Sequence, residues 1–155
     1  MPNLETTFAG LKLKNPIIVG SSGLTNSVDK IREIAQKGAA AVVLKSLFEE
    51  QIIHDVNSTI KHSAHSGADD YIAEYIKSNS INTYLNLIKE TKAKTDIPII
   101  ASINCQNSAK WVSFAKEIEN AGADALEVNV YFLPIDKNKP SSEYEQTYFD
   151  LLKSL

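Results

Sequence analysis

The chain has 155 residues, of which 43% are hydrophobic and 23% charged, and its formal net charge is −3. This is an ordinary globular composition for about one domain, and the negative charge gives no electrostatic case for binding nucleic acid. A single cysteine, Cys105, excludes an internal disulfide and indicates a reducing compartment. The sequence shows no secretory signal and no apolar run of the roughly 18 residues that a membrane span needs, so we predict a cytoplasmic protein.

The first segment, LETTFAGLKLKN, contains two short extended runs around Ala9-Gly10, which predict a β-hairpin. Four apolar runs follow, and helical patterns lie between them. Short apolar runs bounded by turn residues are typical of strands buried on both faces of a parallel sheet. The predicted strands are residues 16–19, 40–44, 98–103 and 125–130. The predicted helices are residues 28–37, 82–94, 109–120 and 142–155.

The helix limits rest on capping residues. Asn26 or Ser27 can cap the first helix, and Gly38 can end it, as Gly122 can end the third. The second helix has a predicted buried face formed by Tyr84, Leu85, Leu87 and Ile88.

Residues 48–80 are largely polar and predict a long loop with one helical turn near residues 69–76. A loop of this length in a compact domain is usually functional or mobile.

Alternating strands and helices predict parallel strands joined by right-handed crossovers, in either an open doubly wound sheet or a closed barrel. The phrases KGAAAVVLKS and AGADALEVNV repeat one joint, in which a helix ends at glycine and small residues lead into a strand. That joint is frequent in barrels, and GSSGLT is not the GxGxxG fingerprint of a doubly wound nucleotide fold. We therefore predict a (β/α)8 TIM barrel of which residues 1–155 form the N-terminal half, with about four β/α units.

Four units cannot close a barrel of eight strands. The first and fourth strands are then open edges, which favour pairing with further strands. We expect the partner to be a missing C-terminal half or a second copy of the chain.

The active site of a parallel barrel lies at the C-terminal ends of its strands. The polar residues at these predicted ends form a largely neutral ring with one cation, which suits a flat heterocycle with amide-like edges. Gly20 allows close approach of a ring, Lys45 can stabilise negative charge, and Asn129 can donate and accept. The whole set comprises Gly20, Ser21, Ser22, Lys45, Ser46, Ser102, Asn104, Cys105, Gln106, Asn129 and Tyr131.

Several of these residues also have a purely structural interpretation. Lys45 can simply reach solvent, Ser21 can form a turn, and Cys105 is more typical of a small hydrophobic residue than of a nucleophile. Glu127 lies two residues before Asn129 and therefore on the same side of the strand, either lining the barrel interior or pairing with Lys45.

His54, His62 and His65 have no spacing typical of metal ligands, so no metal site is predicted.

The segments NPIIVGSSGLT, GAAAVVLKSLFEE, IPIIASINC and AGADALEVNVYFLP together resemble the N-terminal half of the dihydroorotate dehydrogenase family. Three further segments, DDYIAEYI, WVSFAKEIENAGADALEVNVYFLP and EYEQTYFDLL, are most similar to its "dihydroorotate dehydrogenase-like" branch. The family consists of barrels that depend on flavin mononucleotide (FMN) and act in pyrimidine biosynthesis. The resemblance implies that Gly20 and Ser21 contact the flavin, and that Lys45 lies beside flavin and substrate with Ser46 adjacent. It implies that Asn129 contacts one of the two.

The chain departs from the family at two places. HSGADDYIAEYIKSNS replaces the family's loop of Asn-x-x-Gly-Leu-x-Asn type that holds orotate. Phe132 stands where the family has its Cys or Ser base, and phenylalanine cannot accept a proton. These departures predict an oxidoreductase with a different small-molecule substrate.

The phosphate site of such barrels is built by loops after strands seven and eight. We therefore expect this chain alone to bind FMN weakly or not at all and to be inactive. Two other functions stay open: a phosphate-ligand lyase or isomerase using Lys45 and Glu127, and a non-enzymatic half-barrel that assembles through its edges.

Overall fold

The computed structural model describes residues 2–62, 69–104, 108–131 and 133–154. Strands and helices alternate after an N-terminal hairpin. The strands are β1 (Thr6–Phe8), β2 (Leu11–Leu13), β3 (Ile18–Val19), β4 (Ala41–Val43), β5 (Leu47–Phe48), β6 (Ile99–Asn104) and β7 (Ala125–Val128). The helices are α1 (Val28–Gln36), α2 (Glu49–His62), α3 (Asp69–Lys94), α4 (Ser108–Ala121) and α5 (Ser141–Ser154).

The predicted N-terminal hairpin is confirmed. Strands β1 and β2 pair antiparallel, with Phe8 opposite Leu11. The two residues between them have φ values of 48° at Ala9 and 79° at Gly10. Two positive φ angles are the signature of a type I′ turn, whose twist matches that of the strands it joins.

The remaining strands form one parallel sheet in chain order. Strand β3 pairs with β4, and β4 and β5 both pair with β6, meeting it at Ile100 and Ile103 respectively. Strand β7 lies opposite the same two residues on the other edge of β6. Strands β4 and β5 are therefore two parts of one interrupted second strand, and the order runs from first to fourth strand without reversal.

Helices α1, α3, α4 and α5 pack on one face of the sheet. A single core joins Ile31 of α1, Ile88 of α3, Ile118 of α4 and Leu151 of α5 to alternate residues of the strands. The strand residues in this core are Val42, Leu44, Ile99, Ala101 and Ile103. A doubly wound sheet carries helices on both faces, so the one-sided layer agrees with part of a (β/α) barrel.

The repeated helix–glycine–strand joint is confirmed in detail. Gly38 and Gly122 follow α1 and α4 with φ values of 101° and 95°. The glycine N–H in each joint donates to the carbonyl three residues back, and the next N–H donates to the carbonyl five residues back. This is the Schellman motif, and the same geometry ends both helices.

The prediction of a long loop at residues 48–80 is wrong. Residues 49–62 form α2 and residues 69–80 form the first half of α3, and the two helices pack against each other. Hydroxyls satisfy the helix locally, since Ser80 donates to the carbonyl of Ile76 at 3.0 Å and Thr83 donates to that of Asn79 at 2.8 Å. The apparent loop composition of this segment is therefore compatible with a continuous helix. No helix in the described ranges is long and apolar enough to cross a bilayer.

The first strand also differs from its prediction. It covers Ile18 and Val19 alone, both half-buried, and Ile17 is 59% exposed. The strand lies at the edge of the described sheet, so it is not buried on both faces as the apolar run suggested. The helix predicted at residues 82–94 begins much earlier, at Asp69, and the other predicted strands and helices appear with shifts of at most two residues at their ends.

Candidate functional site

The loop after β3 is fixed against the interruption between β4 and β5. Thr25, fully buried, donates its hydroxyl to the carbonyl of Ser22 at 3.1 Å. The carbonyl of Thr25 accepts the N–H of Lys45 at 3.2 Å, and the hydroxyl of Ser21 accepts the N–H of Ser46 at 2.9 Å. These bonds hold Ser21 beside the C-terminal end of the second strand.

A series of hydrogen bonds among three serine hydroxyls and one carboxylate links all four strands of the parallel sheet. The Oγ of Ser21 is 3.0 Å from the Oγ of Ser46, which is 2.7 Å from the Oγ of Ser102. Ser102 donates to Oε1 of Glu127 at 2.6 Å. Ser102 is fully buried, whereas Ser21 and Glu127 are exposed, so these contacts run across the strands from one accessible residue to another. Below, these four residues are called the hydroxyl chain.

The hydroxyl chain lies on the face of the sheet opposite the helices. Successive side chains of a strand point to opposite faces. Ala101 and Ile103, which flank Ser102, belong to the helix-facing core, and so do Leu126 and Val128, which flank Glu127. Ser102 and Glu127 therefore occupy the other face, which would be the interior of a closed barrel.

Tyr84 of α3 fills the gap in the second strand. Its hydroxyl accepts the N–H of Ser102 at 2.8 Å and donates to the carbonyl of Ser102 at 3.0 Å. Both backbone groups point to the edge of β6 where β4 has ended and β5 has not begun. One tyrosine hydroxyl thus replaces the missing strand pairing.

Burial is the main cause that raises the pKa of Tyr84, and the charge of Glu127 adds to it. The backbone hydrogen bond with Ser102 lowers the pKa, but by less. The phenol is therefore held in its neutral form, which the hydrogen bond that it donates to the carbonyl of Ser102 requires.

Lys45 lies apart from the hydroxyl chain. Its ammonium group is 5.3 Å from the centroid of the Phe48 ring, within the range of a cation–π contact. Lys45 also lines a cleft of about 660 Å³ between the start of α1 and helices α2 and α3. In the described part of the chain, the structure shows no ion pair of Lys45 with Glu127, and that carboxylate binds Ser102 instead.

Gly20 and Asn129 frame the open face of the sheet. A Cβ atom placed on Gly20 would meet no atom within 4 Å, so the space beside it is free of protein. Asn129 extends the pairing of β7 by donating its N–H to the carbonyl of Ile103 at 2.9 Å, and it is exposed. Asn129 lies two residues after Glu127 and therefore on the same face of the strand.

The structure thus brings Ser21 and Ser46 into contact and leaves Gly20 and Asn129 on the open face, with Lys45 directed to the cleft. Ser102 and Glu127 are both candidates in the sequence, but without a predicted contact between them, and Tyr84 is predicted only as a core residue. A polar residue within each of the apolar runs IIASI and ALEV was the available signal.

Four residues discussed above, His65, Cys105, Gln106 and Phe132, lie outside the described residues. Across the described ranges, no three side chains of His, Cys, Asp or Glu come together as a metal site.

Comparison with known proteins gives relatives over most of the chain, while no family model matches it. The chain is 28% identical over 140 residues to the catalytic subunit of dihydroorotate dehydrogenase B (NAD(+)) of Thermoplasma volcanium, covering 84% of the chain and 42% of that protein. It is 28% identical over 137 residues to a subunit of the NAD-dependent dihydropyrimidine dehydrogenase of Escherichia coli, covering 82% and 32%. It is 29% identical over 142 residues to the chloroplastic dihydropyrimidine dehydrogenase (NADP(+)) of Arabidopsis thaliana, covering 83% and 33%.

The chain spans less than half the length of each of these relatives. The resemblance to the dihydroorotate dehydrogenase family is confirmed: the chain is related in sequence to dihydroorotate and dihydropyrimidine dehydrogenases over more than four fifths of its length.

Proposed function

We propose that this chain forms the first four units of a (β/α)8 barrel that is an FMN-dependent oxidoreductase. One observation carries the proposal. The contact between Ser21 and Ser46 joins the ends of the first and second strands beside the free space at Gly20, on the edge where parallel barrels bind their ligands. The names of the relatives, all dehydrogenases of pyrimidine-derived rings, support the same reaction class.

The residues present fit one side of a flat flavin ring. The free space at Gly20 admits a ring edge close to the backbone, and Ser21 and Ser46 supply polar atoms next to it. Asn129 supplies an amide that can donate and accept, and Lys45 would supply a cation by turning from the Phe48 ring toward the flavin. Gly20, Ser21, Lys45, Ser46 and Asn129 are therefore the residues that would hold the cofactor.

FMN, when bound, would accept or supply the hydride that the reaction transfers. Lys45 would stabilise negative charge that develops on a carbonyl or carboxylate of the substrate. Asn129 would orient a ring through its amide group.

We infer that the substrate is a small cyclic amide, because the relatives act on dihydropyrimidines and dihydroorotate. Phe132 replaces the usual base, so the proton would be handled by a group other than the one the family uses.

Titration of riboflavin and FMN against the 155-residue chain tests the proposal. Both flavins should bind weakly and with similar affinity, because the phosphate loops of such barrels follow strands seven and eight. The Gly20→Ala variant should weaken the binding of both flavins about fivefold, because the added methyl group would clash with the ring at a cost on the order of 1 kcal/mol. Flavin fluorescence reports the binding.

Gly23→Ala is the matched control, since Gly23 lies in the same loop and its added Cβ also meets no atom within 4 Å. It should leave flavin binding unchanged. Neither glycine has a positive φ angle, so both variants should fold as the parent does. Equal flavin affinity of Gly20→Ala and the parent would reject the placement of the flavin ring beside Gly20. Much tighter binding of FMN than of riboflavin would reject a phosphate site outside this chain.

A further inference from the structure

The direction of the hydrogen bonds in the hydroxyl chain follows from its last member. A carboxylate accepts hydrogen bonds and donates none. The contact of 2.6 Å between Ser102 and Glu127 is in the short range of a hydroxyl bound to an ionised carboxylate, so the single proton of Ser102 is used there.

The remaining protons are then assigned in sequence. The 2.7 Å contact between Ser46 and Ser102 needs one proton, and only that of Ser46 is left for it. The 3.0 Å contact between Ser21 and Ser46 must in turn use the proton of Ser21. Every hydroxyl in the chain therefore donates toward Glu127.

Ser21 is left with a defined capacity. Its proton goes to Ser46, and one of its two lone pairs accepts the N–H of Ser46 at 2.9 Å. A hydroxyl oxygen has two lone pairs, so Ser21 keeps one, and it has no proton to offer.

We propose that Glu127 sets the polarity of the site, as a positioning residue acting through Ser102 and Ser46, so that Ser21 presents only a hydrogen-bond acceptor to a ligand. The ligand group that meets Ser21 is then an N–H or O–H donor. A carbonyl or anionic oxygen would face a lone pair there, so it is disfavoured at this position. The proposal uses the proposed function only for the identity of the ligand, since the proton order is a property of the chain itself.

Neutron diffraction from crystals of the deuterated chain at neutral pD tests the order directly. We expect deuterons on the lines from Ser21 to Ser46, from Ser46 to Ser102 and from Ser102 to Glu127. A deuteron of Ser21 that points away from Ser46, or one of Ser102 that points away from Glu127, overturns the proposal.

Glu127→Ala tests the cause. Glu127 is exposed, so the variant removes the acceptor at little cost to packing. Without the carboxylate, the three serine hydroxyls share two contacts that either direction of donation can satisfy. The deuteron of Ser21 should then occupy more than one position. An unchanged, singly placed deuteron on Ser21 would show that Glu127 does not set the polarity. Glu119→Ala, an exposed position on α4, is the matched control and should leave all three deuterons in place.

Ser46→Ala provides a second variant that keeps the carboxylate. It removes the acceptor for the proton of Ser21, which should then turn toward solvent. A Ser21 deuteron still directed to position 46 would overturn the assignment. Riboflavin titration of the parent chain separates the two proposals, because failure of riboflavin to bind it rejects the proposed cofactor and leaves the proton order to be decided by the neutron maps.

Discussion

Ser102 is bound by three different parts of the molecule. Its hydroxyl lies between Ser46 and Glu127, and its backbone N–H and carbonyl both bind the hydroxyl of Tyr84. The residue is fully buried, so each of these groups would be left without a partner if its contact were lost. Such loss is costly because a buried polar group without a hydrogen bond keeps its full desolvation penalty.

Tyr84→Phe should therefore destabilise the chain by about 1–3 kcal/mol, because it leaves the backbone groups of Ser102 unsatisfied. Urea denaturation measures the free energy of unfolding. Tyr75→Phe, on the same helix and 64% exposed, is the control and should change it by less than about 0.5 kcal/mol. Equal stability of the two variants would contradict the role given to the Tyr84 hydroxyl.

The same pair of proteins has a defined pH dependence. The raised pKa of Tyr84 means that the folded chain keeps this phenol neutral where the unfolded chain ionises it, with an ordinary pKa near 10. The stabilisation from Tyr84 is fully present below that pH and falls progressively as the pH rises toward the folded pKa. The difference in unfolding free energy between the parent and Tyr84→Phe should therefore narrow by about 1.4 kcal/mol at pH 11.

The residue-level chemistry was only partly readable from the sequence. The strand-end rule placed Ser21 and Ser46 correctly at one edge, because parallel strands end together. The contact of Ser102 with Glu127 depends on the register of β6 and β7, where the two residues are directly opposite, and no local pattern gives that register. The hydroxyl of Tyr84 required knowledge of the break between β4 and β5.

At the scale of elements, local signals succeeded where local chemistry decides the structure. Gly10 of the hairpin turn and the glycines of the two joints tolerate positive φ, whereas Ala9 adopts a φ of 48° despite its Cβ. The segment EEQIIHDVNSTIKH has no such signal, and its helix α2 forms against α3. Ile52 and Val56, four residues apart and both half-buried, were the available hint of a helical face.

Gly122→Ala should destabilise the chain by about 1–2 kcal/mol, because φ of 95° is unfavourable for any residue with a Cβ. The nearest atom to that Cβ is Cγ of Lys92 at 3.9 Å, an ordinary contact, so the backbone angle is the whole cost. Gly38→Ala, with a φ of 101° and no atom near its Cβ, should cost the same within about 0.5 kcal/mol. Thermal unfolding of the two variants checks this equality, and a much larger effect at one joint would show that the motifs are not equivalent.

At the scale of the whole molecule, the described sheet has two free edges. Within the described residues, β3 pairs with β4 alone and β7 with β6 alone. Phe149 and Leu152 on α5 are 56% and 65% exposed and lie three residues apart on one side of the last helix of the layer. We propose that further β/α units cover this end, either from a C-terminal half or from a second copy of the chain.

Sedimentation equilibrium should accordingly show that the chain self-associates as its concentration rises. Leu152→Lys should shift the distribution toward monomer, because a buried lysine without a partner is unfavourable in an interface. Leu4→Lys, at a position 58% exposed outside the parallel sheet, should leave it unchanged. A parent chain that stays monomeric at every concentration would rule out a second copy as the partner.

The hydroxyl of Tyr84 also has a mechanical consequence. It ties the long helix α3 to the centre of the sheet at Ser102, so α3 cannot slide along the strands without breaking two hydrogen bonds. The same serine carries the middle link of the hydroxyl chain. Ser102 is therefore the residue at which the position of α3 and the hydrogen bonds of the hydroxyl chain meet.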